Sequence, residues 1–333
     1  VKSGGDEMAN NRNIESSAFE TPKLFETGLL FSVVAFLLLF IGTIVQKRNF
    51  TTGILITEFV IILLPPILLL WIRKYDIPRM LRLNRVSFLN LFIIFSMMLF
   101  SLWIVTIINL FNLWLLKTIF GRVLVPQLPL NENSVLINIL LVGGSAGICE
   151  EVMFRGVIQR SFERFGAFLS IFITSLLFGL FHMDFQKLLG TFLLGMLIGF
   201  IVYRTNSLYA GMFAHFTNNT LAVLISSLSE KVPGVTEMQA NNDYVNSYFN
   251  MLESMPSPQL AMVVFIWIMS ALFCGAALAG LMWAFVRNTS SNREKISHTR
   301  TEKILPAILA FLPGAIAIVV VYVSTAYALS GLR

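Results

Sequence analysis

The chain has 333 residues, of which 56% are hydrophobic and only 13% charged, with a mean hydropathy of +0.77. A soluble domain carries about 25% charged residues, so this composition excludes a soluble enzyme, a disordered chain and a collagen-like chain. The net charge of +6 comes from 24 Lys+Arg against 18 Asp+Glu. These basic residues do not cluster with aromatics, so a nucleic-acid partner is not expected, and they fit the basic loops of a membrane protein instead.

Residues 1–28 form a polar segment without the pattern of a cleavable signal peptide. Nine apolar stretches follow, at 29–46, 53–72, 88–116, 134–154, 165–182, 188–203, 205–229, 259–286 and 304–332. Each approaches the length of about 20 residues that crosses a bilayer as a helix. The expected fold is an all-α polytopic transmembrane bundle of eight to nine helices. In it, 29–133 forms an N-terminal group of spans and 134–229 a core with short connections. Residues 230–258, with four acidic residues and one basic, read as a solvated extramembrane loop, and 259–333 as the C-terminal spans. Pro65 and Pro66 lie inside the second span and are expected to bend it.

With the N-terminus cytoplasmic, sixteen Lys/Arg fall in cytoplasmic segments and seven in outer ones, leaving Arg155 within the membrane. The positive-inside rule then orients the chain, and a multi-pass protein of the cell membrane is expected, with lipid as its surroundings. Cys149 and Cys274 both lie in apolar stretches, which excludes a disulfide framework.

Ionisable groups at bilayer depth cost about 2.5–3.5 kcal/mol each on insertion scales, so the few present carry information. Glu58 is one, in the second span; Glu150 and Glu151 lie in the fourth. Glu151 and Arg155 are four apart with the acid first, the favourable order for an ion pair on a helix. Glu150 points about 100° away around the helix and has no partner there.

His182 closes the fifth stretch. With a turn near Gly166, Glu150 and His182 each lie 16 residues from it, which puts both about 24 Å from the turn. His215 and Asn219 are four apart and share a helix face; with a turn at Asn206, His215 lies about 14 Å above it. These residues can converge on a buried wet pocket. A carboxylate beside an imidazole can take a proton from water, and a His/Asn pair can donate to a developing oxyanion. This set suits hydrolysis of an amide. Asn218 and Thr217 face elsewhere, and His298 lies in a basic loop.

Glu150-Glu151-xxx-Arg155, Phe178-xxx-His182 and His215-xxx-Asn219, in that order and each in an apolar helix, resemble the CPBP (CAAX protease and bacteriocin-processing, or Abi) family, which includes Rce1-type CAAX prenyl endopeptidases. The resemblance covers about 134–227 and implies a polytopic intramembrane protease. It implies Glu150 as the base that activates water without a metal or other cofactor, His182 as its helper, and His215 with Asn219 as the oxyanion hole. Glu151 and Arg155 become structural or substrate-orienting. The implied substrate is a peptide or membrane-anchored protein.

Other readings stay open. Glu150, His182 and His215 match a catalytic zinc ligand set, although no HExxH is present. Gly143-Gly144-Ser145-Ala146-Gly147 has the letters of a nucleophile elbow but lies in an apolar helix rather than a strand–turn–helix, so Gly143 and Gly147 read better as a packing seam. Buried carboxylates and histidines also serve transporters, and a non-enzymatic membrane scaffold is a further alternative.

Overall fold

Within a bilayer the backbone must bond to itself, so long apolar runs become helices. The computed structural model describes residues 20–123, 133–229, 244–289 and 303–331. All nine apolar stretches are helical, and no strand occurs among the described residues. The helices are α1 (Leu24–Arg48), α2 (Phe50–Ile72), the short α3 (Ile77–Met80), α4 (Phe88–Phe120), α5 (Val135–Phe165), α6 (Ala167–Phe181), α7 (Phe185–Thr205), α8 (Leu208–Ser229), α9 (Tyr244–Ser254), α10 (Ser257–Asn288) and α11 (Ile304–Ser330). The protein is a polytopic helical membrane protein.

Among the described residues, seven helices can cross a membrane by length and composition, namely α1, α2, α4, α5, α7, α10 and α11. That is fewer than the eight to nine expected from sequence. The two that fall short have physical reasons. α6 is only 15 residues long, and α8 is diluted by His215, Thr217, Asn218 and Asn219. Both carry polar residues of the candidate site.

Other boundaries also move. α5 continues to Phe165 instead of ending at 154. Its turn into α6 is made at Gly166, whose φ of +94° favours glycine. The turn at Asn206 is left-handed as well, with φ +49°, a conformation asparagine tolerates. The expected loop at 230–258 is partly a helix: α9 packs Val245 and Phe249 against Leu113, Leu116 and Val123. Asn246 clamps it by accepting from Val123 N at 3.1 Å and donating to Val123 O at 2.9 Å. Residues 1–19, 230–243 and 290–302, with His298, lie outside the described residues.

α1 and α11 pack closely. The Ser32 hydroxyl donates to Ala310 O at 2.6 Å and accepts from Gly314 N at 3.0 Å, the two groups a straight helix would bond to each other. Pro313 has already broken this ladder, and a side chain from the neighbouring helix completes it. In α2, Ile56–Leu63 is widened to π-helical bonding just before Pro65 and Pro66, which lack the N–H groups a regular helix needs.

One end of the bundle is stitched by arginines. Arg82 and Arg160 both pair with the buried Glu163, and Arg160 also donates to Arg79 O and Met80 O. Asn84 and Ser207 bond the 73–87 segment to the α7–α8 turn. At the same end Glu26 binds Arg73 and the Tyr75 hydroxyl; burial, then the Glu26 carboxylate, pushes the Tyr75 phenol above its ordinary range. This platform sets the depth at which α5 and α8 face each other.

Candidate active site

The site begins with two helices that approach closely. A Cβ on Gly147 would lie 3.2 Å from Phe216 N, and one on Gly143 would lie 3.0 Å from Thr220 Oγ1. The two glycines therefore form the seam where α5 crosses α8. Gly156 lies opposite Leu81 and Leu208, so the Gly166 end of α5 overhangs the Asn206 turn. That overhang brings Glu150 and Glu151 level with His215, even though the two groups lie at different distances from their own turns.

Residues 146–151 are regular α-helix between two π-widened segments, Ile139–Ser145 and Val152–Ile158. Such widenings occur often at functional sites. Glu151 and Arg155 form the expected ion pair, Nη1 to Oε1 at 2.7 Å, with both side chains fully buried. The guanidinium also donates to Gly195 O at 3.2 Å and lies over the Phe178 ring at 4.5 Å.

Glu151 Oε1 has a second partner that the sequence did not suggest, His215 Nδ1 at 2.9 Å. The other ring nitrogen, Nε2, faces Glu150 Oε2 at 3.9 Å. That is too long for a direct hydrogen bond and short enough for both atoms to bind one water. Arg155, Glu151 and His215 thus form a chain in which each group fixes the next, and its free end faces Glu150.

His182 enters from the end of α6. Its Nδ1 lies 2.9 Å from Phe178 O. A carbonyl only accepts, so Nδ1 carries the proton and Nε2 offers its lone pair. The Phe178 ring stands edge-on to both imidazoles, with centroids 5.0 Å from His182 and 5.8 Å from His215. Phe178 therefore separates and orients the two histidines. Asn219 Nδ2 donates to Val142 O at 2.9 Å, and its Oδ1 accepts from Asn218 at 3.0 Å. Its second N–H is not used by these bonds.

Glu58, from α2, belongs to this neighbourhood. Its π-widened segment packs on residues 146–151, which include Glu150. The signal was visible in the sequence as a lone charge in an apolar span, but no spacing tied it to the fourth span. Oε2 of Glu58, Oε2 of Glu150, Oε2 of Glu151 and Nε of Arg155 are buried without a hydrogen-bond partner among the described residues. Buried polar groups normally find partners, protein or water, so this cluster is where the bundle leaves hydrogen-bonding capacity unused.

Ser145 is buried mid-helix and its hydroxyl donates to Leu141 O. It has neither the exposure nor the turn of a nucleophile elbow. Cys149 is fully buried, and both cysteines are free. Among the described residues, no group of three His, Cys, Asp or Glu side chains is arranged to hold a metal ion.

A helical membrane protein with carboxyl, imidazole and amide groups converging between its helices has the chemical parts of an intramembrane hydrolase. Residues 132–221 match the family described as type II CAAX prenyl endopeptidase Rce1-like. Over 79 residues the chain is 33% identical to "Putative membrane peptidase YdiL" of Bacillus subtilis (strain 168), an alignment that covers 23% of this chain and 32% of that protein. The chain thus spans about a third of the length of that curated relative. No solved structure matches. The matched residues include Glu150, Glu151, Arg155, His182, His215 and Asn219. Glu58 lies outside the matched residues.

Proposed function

We propose that this protein is an intramembrane endopeptidase that hydrolyses a peptide bond of a membrane-associated peptide or protein. The observation that carries the reading is the buried, unpaired Glu150 Oε2, 3.9 Å from a histidine nitrogen whose opposite nitrogen is anchored on the Glu151–Arg155 ion pair.

Glu150 takes a proton from water, and the hydroxide oxygen bonds to the substrate carbonyl carbon. His182, with its Nε2 lone pair free, accepts a hydrogen bond from the same water and holds it in line. The carbonyl oxygen becomes an anion that the spare Asn219 N–H stabilises, together with His215 Nε2–H, which donates in the imidazolium form because Nδ1–H is given to Glu151. The C–N bond then breaks, and Glu150 returns its proton to the leaving amine nitrogen. Glu151 and Arg155 keep His215 in place. No metal takes part in this scheme.

The arginine-rich end of the bundle gathers Arg79, Arg82, Arg160 and Arg204, which supports a cytoplasmic location for that end and for the N-terminus. The site would then receive substrates from the cytoplasmic side of the cell membrane.

The test is cleavage by purified protein in detergent. The probes are a fluorogenic farnesylated peptide ending in Cys-aliphatic-aliphatic-X and its unprenylated counterpart. Wild type should cut, Glu150→Ala and His182→Ala should lose at least ~100-fold, in the range of removed general acid–base groups, and chelator should have no effect. Chelator-sensitive cleavage restored by Zn²⁺ would replace the scheme with a metal-dependent one. Full cleavage by Glu150→Ala would remove the mechanism, and a cellular phenotype retained by that variant would favour a scaffold or transporter.

A further inference from the structure

The scheme above leaves one chemical group without a role. Glu58 is over nine-tenths buried, its Oε2 has no hydrogen-bond partner, and none of its described neighbours forms an ion pair with it. Isolated carboxylates are not tolerated in an apolar span without a counter-ion. The segment of Glu58 packs on residues 146–151, which carry Glu150 and Glu151. Arg155 is already committed to Glu151, and no lysine or arginine approaches from α2. Two carboxyl groups that share a buried site without a free counter-ion cannot both stay ionised, and one of the pair keeps a proton. The helix that carries Glu58 is also anchored for close contact. Gln46 of α1 donates to Thr57 Oγ1 at 2.9 Å, and Thr57 and Glu58 are both buried where α2 lies against residues 146–151.

We propose that Glu58 is a positioning residue of the site, an un-ionised carboxylic acid that donates, through a shared water, to the Glu150 carboxylate and holds it in the orientation from which it takes a proton. This rests on the peptidase reading for its consequence, though not for its chemistry. The N-terminal spans, which lie outside the matched segment, then supply part of the working site and are not only a membrane anchor.

The chemistry is tested without substrate, by infrared spectroscopy of purified wild type, Glu58→Gln and Glu150→Gln in detergent at neutral pH. Wild type should show the C=O stretch of an un-ionised carboxyl, Glu58→Gln should abolish it, and Glu150→Gln should move it. A band that survives Glu58→Gln, or one that Glu150→Gln leaves in place, overturns the proposal whatever the protein's activity. The consequence is tested with the farnesylated probe. Glu58→Gln keeps an N–H donor and should retain cleavage within about threefold. Glu58→Leu should lose about 10- to 100-fold in kcat with KM unchanged, a range within that of general acid–base contributions, while its melting temperature is equal to or above that of wild type. A purely structural Glu58 would lower melting temperature and activity together, and an ionised second base would make Glu58→Gln as inactive as Glu58→Leu; either result overturns the proposal. Loss of activity in Glu150→Gln but not in Glu58→Leu would remove this inference and leave the peptidase reading standing. Full activity in Glu150→Gln would do the reverse.

Discussion

His215 Nδ1 and Glu151 Oε1 lie 2.9 Å apart, which makes a residue of the α5 ion pair the anchor of an imidazole on α8. Glu151 therefore serves two cations or donors with one oxygen, since Arg155 Nη1 reaches the same atom at 2.7 Å. Removing its charge leaves a fully buried guanidinium unpaired. Glu151→Gln should lower stability by about 3–5 kcal/mol, the usual cost of breaking a buried pair, and should release His215. The check is the melting midpoint of the detergent-solubilised protein together with cleavage of the peptide probe. Arg155→Lys should not restore wild-type behaviour, because a lysine cannot bond Glu151 and Gly195 O together while lying flat on Phe178. A variant at either position with unchanged stability would contradict this account.

Gly211 is the second support of the same carboxylate. A Cβ there would lie 2.4 Å from Val202 Cγ2 and 3.0 Å from Glu151 Oε2, so only glycine lets α8 approach both. Gly211→Ala should cost about 1–3 kcal/mol through overpacking and displace Glu151, so cleavage should fall further than stability alone explains. Gly199→Ala is the control. Its Cβ would press on Gln159 Oε1 at 3.0 Å and Ile171 Cγ2 at 3.2 Å, away from the carboxylates, and should lower the melting midpoint while sparing cleavage. Equal losses of cleavage in the two variants would show that Gly211 has no special relation to the site.

The parts of this architecture legible in the sequence are those set by local periodicity. Apolar runs marked the stretches that are helical, glycine and asparagine marked the turns at Gly166 and Asn206, and a spacing of four placed Glu151 beside Arg155 and His215 beside Asn219 on shared faces. Contacts between helices were less accessible. The bond from His215 to Glu151 depends on the close crossing at Gly147, and the approach of Glu58 depends on how α2 lies on α5. Neither follows from spacing along one helix. The amphipathic α9 was missed because its polar residues read as solvated loop, whereas Asn246 spends its amide on the backbone of Val123.

Asn219 offers a way to separate structural from chemical roles. Its Nδ2 holds Val142 O of α5 at 2.9 Å, a bond worth about 1 kcal/mol by the usual net contribution. Its remaining N–H is the proposed oxyanion donor, and loss of such a donor costs about 10²–10³ in kcat. Asn219→Ala should therefore shift the melting midpoint slightly and reduce kcat by that larger factor, with little change in KM. A loss of activity no larger than the loss of stability predicts would restrict Asn219 to helix packing.

Orientation can be tested on the two ends of α4. Its 33 residues span about 50 Å at the helical rise, which places Arg85 and the α9 surface at opposite faces of the bilayer. Arg85 and Asn250 are both exposed, and Lys117 at the far end of α4 donates to Asn250 Oδ1 at 2.8 Å, tying the second position to that end. Single cysteines at 85 and 250, in a background with Cys149 and Cys274 replaced by alanine, should react differently with a membrane-impermeant maleimide applied to intact cells. Position 250 should label at once, and position 85 only after permeabilisation, because the proposed orientation puts the arginine-rich end in the cytoplasm. The opposite pattern would invert the protein and place the arginine-rich platform, and with it the proposed route of substrate entry, on the outer face. Labelling of both positions from one side would mean that α4 does not cross the membrane at all.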